Sequence, residues 1–144
     1  MMERTMPPSA SEIMLFLRAL PIARASQDVR RNPLHQVIQR VRSVSVRTGV
    51  RDPDDAVRAA ARVCSRWARW FGGIDTCLTR SLVAGALLSG RHEVMLHVGF
   101  RPTDRGAEAV DGHAWLVVDG EMIESTGLDE HGGLPYESTA RYEI

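Results

Sequence analysis

The chain contains no lysine: all 18 of its basic residues are arginines. Schiff-base and lysine-nucleophile chemistry are therefore excluded for it. The same bias suggests a GC-rich bacterial genome. Cysteine is scarce, at two residues in 144, too few for a disulfide scaffold and not needed at this length. No apolar run approaches the roughly 18 residues of a membrane span. Met1–Pro8 carries Glu3 and Arg4 without a continuous apolar core, so it does not read as a signal peptide. Neither a G-x-x-x-x-G-K-[ST] nor a G-x-G-x-x-G phosphate loop is present. No C-x-x-C or H-x-x-x-H pair occurs, and Cys64 and Cys77 are too far apart for a zinc knuckle. These absences predict a cytoplasmic protein with reduced thiols, no cofactor, no metal and no membrane partner.

What is present is an ordinary globular composition, 44% apolar and 25% charged, at the size of one domain. The formal net charge is zero but unevenly spread. Residues 1–91 hold 15 basic and 7 acidic side chains, or +8, and residues 92–144 hold 3 and 11, or −8. A uniformly basic nucleic-acid binder does not look like this, and no nucleic acid is expected as partner. Residues 1–144 read as a single domain, with a helical portion over 1–51 and a core over 52–144.

Ser9 or Ser11 caps a first helix through Leu20, which Pro21 interrupts or kinks. Asn32-Pro33 starts a second, with Leu34, Val37, Ile38, Val41 and Val44 on one face and Thr48-Gly49 as its stop. Asp52-Pro53 starts a third, whose apolar stripe is Val57, Ala61, Cys64, Ala68 and Phe71, with Trp67 beside it. Arg58, Arg62, Arg66 and Arg69 form a neighbouring stripe. It is either a solvated helix face or a docking face for an acidic partner. Gly72-Gly73 ends this helix, and a fourth runs from Asp75 or Thr76 to about Ser89. Val94, Leu96, Val98 and Phe100 then alternate with polar or small residues, the period of a strand. Pro102–Gly112 reads as a polar loop. His113–Val118 and Glu121–Ser125 flank Asp119-Gly120, a type I′ hairpin signal. The tail from Gly127 reads as loop, ending at most in a short strand. Helices followed by an antiparallel hairpin predict an α+β fold, because that hairpin leaves no room for a crossover helix.

Cys77 is the position richest in chemistry. It falls in the first turn of the fourth helix, where unpaired backbone N–H groups and the positive helix end stabilise negative charge. That suits a nucleophilic thiol, and the Cys77 N–H could also serve an oxyanion. The competing reading is a small buried apolar residue, which is also the reading for Cys64. His113 starts a strand and is a candidate general base, or else a structural histidine. His35, His92, His97 and His131 carry no assignment. Asp119 lies six residues along the strand from His113, roughly 20 Å away, and cannot orient its ring. A two-residue turn places Glu124 on the face of His113, whereas a three-residue turn places Ser125 there. Glu124 is the preferred third member of a triad.

Cys77-Leu78-Thr79-Arg80-Ser81-Leu82, Leu87-Leu88 with a small residue after it, a strand ending in Gly99, and Gly112-His113-Ala114-Trp115 with Asp119-Gly120 together resemble one family. It is the lasso-peptide leader peptidase, the stand-alone protease half of the lasso-peptide B protein. That family lies in the transglutaminase-like branch of the papain superfamily and is similar to the C-terminal part of the microcin-processing enzyme. The resemblance runs from about Ala59 to Ser125. It implies a transglutaminase-like cysteine protease core and ATP-independent hydrolysis of a precursor peptide between leader and core. Cys77 would be the nucleophile and His113 the base and acid. It also implies a preference for threonine just before the last leader residue, a separate leader-binding recognition-element protein, and an ATP-dependent cyclase downstream. The family usually carries Asp, sometimes Glu, late on the strand after the hairpin, where this chain reads Ile123-Glu124-Ser125. Two other readings of the same residues are a non-catalytic peptide-binding module and an acyl transferase using the same triad.

Overall fold

The computed structural model of the chain describes residues 6–45, 50–102, 110–123 and 137–144. Among these, α1 (Ala10–Ser26) leads through a 3-10 turn (Gln27–Arg30) to α2 (Leu34–Val44), α3 (Pro53–Phe71) and α4 (Cys77–Leu88). Four strands follow: β1 (Val94–Pro102), β2 (Val110–Val118), β3 (Glu121–Met122) and β4 (Glu137–Glu143). They form one antiparallel sheet in the order β3-β2-β1-β4. The fold is α+β, as expected.

Ser9 caps α1, accepting from the Glu12 N–H at 3.2 Å while the Glu12 carboxylate accepts from the Ser9 N–H at 2.8 Å. Contrary to the sequence reading, α1 does not end at Leu20 but continues through Pro21 to Ser26. Pro21 and Leu17, whose carbonyl loses its helical donor to the proline, are both exposed, so solvent can serve that group. Meanwhile Ala19, Ile22 and Ala23 are fully buried and hold the last turns in place. In α2 the proline stands one place earlier than expected, as N-cap rather than first helical residue. Its buried face is Val37, Ile38 and Val41, with Val44 exposed. The Thr48-Gly49 stop lies outside the described residues.

α3 starts as its sequence predicts. Asp52 accepts from the Asp54 N–H at 2.9 Å, Pro53 is the first helical residue, and Gly72 closes the helix at φ +64°. The buried stripe differs from the expected one. It is Ala56, Ala59, Ala60, Val63 and Cys64, while Phe71 is exposed. The larger apolar residues suggested a different face. α3 instead lies between α1 and α4, where small side chains permit close approach.

α4 is the central element, packing on α1, α2 and α3 and on β1 and β2. Its Thr79 and every residue from Ser81 to Leu88 are buried, as a helix surrounded by protein requires. Gly85 permits the contact with the sheet. A Cβ there would stand 2.7 Å from Ile144 Cδ1 and 3.3 Å from both Leu116 Cδ2 and Val94 Cγ1.

Asp119 (φ +50°) and Gly120 (φ +83°) form the two-residue turn of the hairpin, pairing Val118 with Glu121 and Val117 with Met122. The Ile123 N–H donates to Leu116 O at 3.0 Å in the same register. The three-residue turn that would favour Ser125 is therefore not used. β2 starts at Val110, earlier than expected, and the tail holds a seven-residue strand paired with β1. Its last residue, Ile144, is buried and donates its N–H to Val94 O at 3.1 Å. A core contact at the chain end was not visible in the polar, glycine-containing run before it.

Candidate active site

Cys77 is the first residue of α4 and is partly buried. The five residues between α3 and α4 have no regular structure, yet each of the three directly before Cys77 is fixed by a specific bond. Both backbone groups of Ile74 engage the Gln27 side chain: its N–H donates to Oε1 at 2.5 Å, and its carbonyl accepts from Nε2 at 2.9 Å. Asp75 receives a two-pronged bond from Arg80, Nε to Oδ1 at 2.6 Å and Nη2 to Oδ2 at 2.7 Å. Thr76 caps α4, accepting from the Thr79 N–H at 3.3 Å while its own N–H donates to Thr79 Oγ1 at 2.9 Å.

That cap uses the third N–H of the helix and leaves the first two. Among the described residues nothing accepts from the backbone N–H of Cys77 or of Leu78. One turn further on, the hydroxyl of fully buried Ser81 likewise finds no partner among the described residues. Cys64 packs beneath this helix start from α3. Burial first, then the charge of Asp75, pushes its thiol up to about 12, so it stays protonated and inert.

His113 lies in β2 and is buried. Eight residues of helix separate Gly85 from Cys77, about 12 Å at helical rise. Three residues of strand separate Leu116, the neighbour of Gly85, from His113, about 10 Å at strand rise. The two lengths agree to within one residue. Side chains alternate along β2, so with Leu116 turned to Gly85, His113 shares the other face with Trp115. Their rings stack at 6.0 Å, and Trp115 stacks in turn on its cross-strand partner His97 at 5.6 Å. Burial, then the charge of Arg141 opposite it on β4, lowers the pKa of His97.

Asp119 does not serve His113. Its Oδ2 lies 2.6 Å from His92 Nδ1, and His92 Nε2 lies 2.8 Å from Arg51 O. His92, unassigned from sequence, thus ties the hairpin turn to the segment before α3. Glu124 and Ser125, the sequence candidates for the third member, lie outside the described residues, as does His131. Of the arginine stripe, Arg58 pairs with Asp55 at 2.7 Å and Arg62 with Glu12 at 3.4 Å. Arg66 lies over the rings of Phe16 and Trp70 at 5.6 and 5.8 Å. Sequence reasoning missed Gln27, which is 47 residues from its partner. Gly73, the second of an adjacent glycine pair, was the one local sign of a close approach.

Residues 16–133 match the family model of the transglutaminase-like superfamily. No curated protein and no solved structure matches the chain. The family match spans most of the sequence, and the chain belongs to the transglutaminase-like superfamily, which includes cysteine peptidases.

Proposed function

We propose that this member of the transglutaminase-like superfamily is a cysteine peptidase that removes the leader from a ribosomally made lasso-peptide precursor. The observation that carries the reading is Cys77 itself. It is a partly exposed thiol at the first position of a buried helix, with two neighbouring N–H groups uncommitted and the preceding loop bonded residue by residue. A nucleophile beside an oxyanion site needs that arrangement, and a merely structural cysteine does not.

In the proposed reaction His113 takes the thiol proton and Cys77 Sγ attacks the carbonyl at the leader–core junction. The Cys77 N–H donates to the oxyanion. The C–N bond breaks as His113 delivers the proton to the departing amine of the core. Water, losing a proton to His113, then attacks the thioester. The C–S bond breaks, the leader leaves as a carboxylic acid, and the proton returns to sulfur. Glu124 is the proposed partner that orients the ring. The precursor would be presented by a separate leader-binding protein, and the core passed to an ATP-dependent cyclase.

The test is to mix the protein with a precursor peptide and its recognition-element protein and follow masses over time. Leader and core fragments should form with wild type and not with Cys77→Ala. Absence of cleavage with binding intact in both proteins would replace the peptidase with a peptide-binding module and make Cys77 a core thiol.

A further inference from the structure

We infer that Gln27 is a positioning residue for Cys77, acting through Ile74. The inference rests on the reading of Cys77 as nucleophile and adds a residue from the far end of α1 to its machinery. Gln27 follows the last turn of α1, yet its amide engages both backbone groups of Ile74, as a neighbouring strand would. Ile74 stands three residues before Cys77. The approach is close enough to dictate the neighbouring residue, since a Cβ at Gly73 would stand 2.5 Å from Gln27 Oε1 and 2.6 Å from Trp67 Cδ1. Asp75 and Thr76 are bonded only to residues of α4, which moves with Cys77. Among the hydrogen bonds of the described residues in this loop, those of Gln27 alone anchor it to a different element. Without them Ile74 keeps only a 3.5 Å bond from Thr79 Oγ1, a residue of α4 itself, and the loop leading into Cys77 is no longer tied to α1. Displacement of a reacting atom by about 1 Å costs on the order of a hundredfold in rate, so the clamp acts on turnover rather than on binding.

Three variants test this in the full chain with its peptide partners. Gln27→Ala removes the clamp. Gly73→Ala pushes the loop away from an intact Gln27. Gln27→Glu keeps the shape, but its carboxylate accepts from the Ile74 N–H and cannot donate to the Ile74 carbonyl. Protonation restores the donor. The expected result for Gln27→Ala and Gly73→Ala, at temperatures where both are folded by circular dichroism, is kcat lower by about tenfold or more with KM within about twofold. For Gln27→Glu, kcat relative to wild type should recover as pH falls through the introduced carboxyl, while the ratio for Gln27→Ala stays flat. In the same proteins the rate at which iodoacetamide modifies Cys77 should change by about fivefold or more. Folded variants with kcat and Cys77 modification both within about twofold of wild type would overturn the inference. A wild type that cuts nothing would instead overturn the peptidase reading, and the Cys77 modification rates would still decide whether Gln27 positions the thiol.

Discussion

Gly85→Ala isolates the contact between α4, which starts at Cys77, and the sheet that carries His113. In an exposed helix the change would stabilise by about 1 kcal/mol, because alanine is the better helix former. Here the new methyl meets Ile144 Cδ1 at 2.7 Å, with Leu116 and Val94 at 3.3 Å. Overpacking a filled core costs about 1–3 kcal/mol. The flexible tip of Ile144 can yield, but Leu116 and Val94 are fully buried and have little room to do so. The balance is a net loss of about 1 kcal/mol, or a fall in Tm of about 3 °C for a chain of this size. Ile144→Val removes the clashing methyl and alone costs about 0.5–1.5 kcal/mol. Combined with Gly85→Ala it should cost less than the sum by about 1 kcal/mol, the coupling expected of residues in contact. Urea unfolding of wild type, both single variants and the double variant gives all four values. Gly85→Ala stabilising the protein, with no coupling to Ile144→Val, would mean that α4 does not touch the sheet there.

The pair at the hairpin turn makes stability depend on pH in a defined direction. The hydrogen bond from His92 to Asp119, with a smaller contribution from Arg51 O, raises the pKa of His92, and His92 lowers that of Asp119. The His92 contribution is complete below the unfolded histidine value and is lost as pH rises through the raised folded value. The stability difference between wild type and His92→Gln should therefore be larger at pH 5.5 than at pH 9. A flat or reversed difference in urea melts would contradict the pairing. In the cleavage assay His113→Ala should be nearly as inactive as Cys77→Ala, with kcat lower by at least about a hundredfold, the scale of a lost general base. Glu124→Gln should cost less, since an amide can still hold the ring; a Glu124→Gln variant as inactive as His113→Ala would require a role for that charge beyond orientation.

Local signals were legible where one residue dictates its own backbone. Asp52-Pro53 and Thr76 mark helix starts because their side chains or fixed φ serve the first turn, and Asp119-Gly120 marks its turn because both residues must take positive φ. The start of α4, and with it the placement of Cys77, follows from that grammar. The length of α1 did not, because Pro21 terminates a helix only when its lost bond is unsatisfied and no packing compensates. The buried face of α3 did not either, since alanines become core only when two other helices close on them. Gln27–Ile74, His92–Asp119 and Ile144 on Gly85 join residues far apart in sequence. Apart from Gly73 beside Ile74, nothing in the neighbourhood of either partner encodes such a meeting.

The most direct test of the account titrates one sulfur against one activity. Wild-type protein is treated with substoichiometric iodoacetamide at pH 7.5, and each sample is divided between peptide mapping and the precursor-cleavage assay. Cys64, buried with its pKa near 12, should stay unmodified while Cys77 is carbamidomethylated. The account predicts that cleavage falls in direct proportion to the modified fraction of Cys77 and reaches zero with it. Cleavage that persists when Cys77 is fully modified would contradict it.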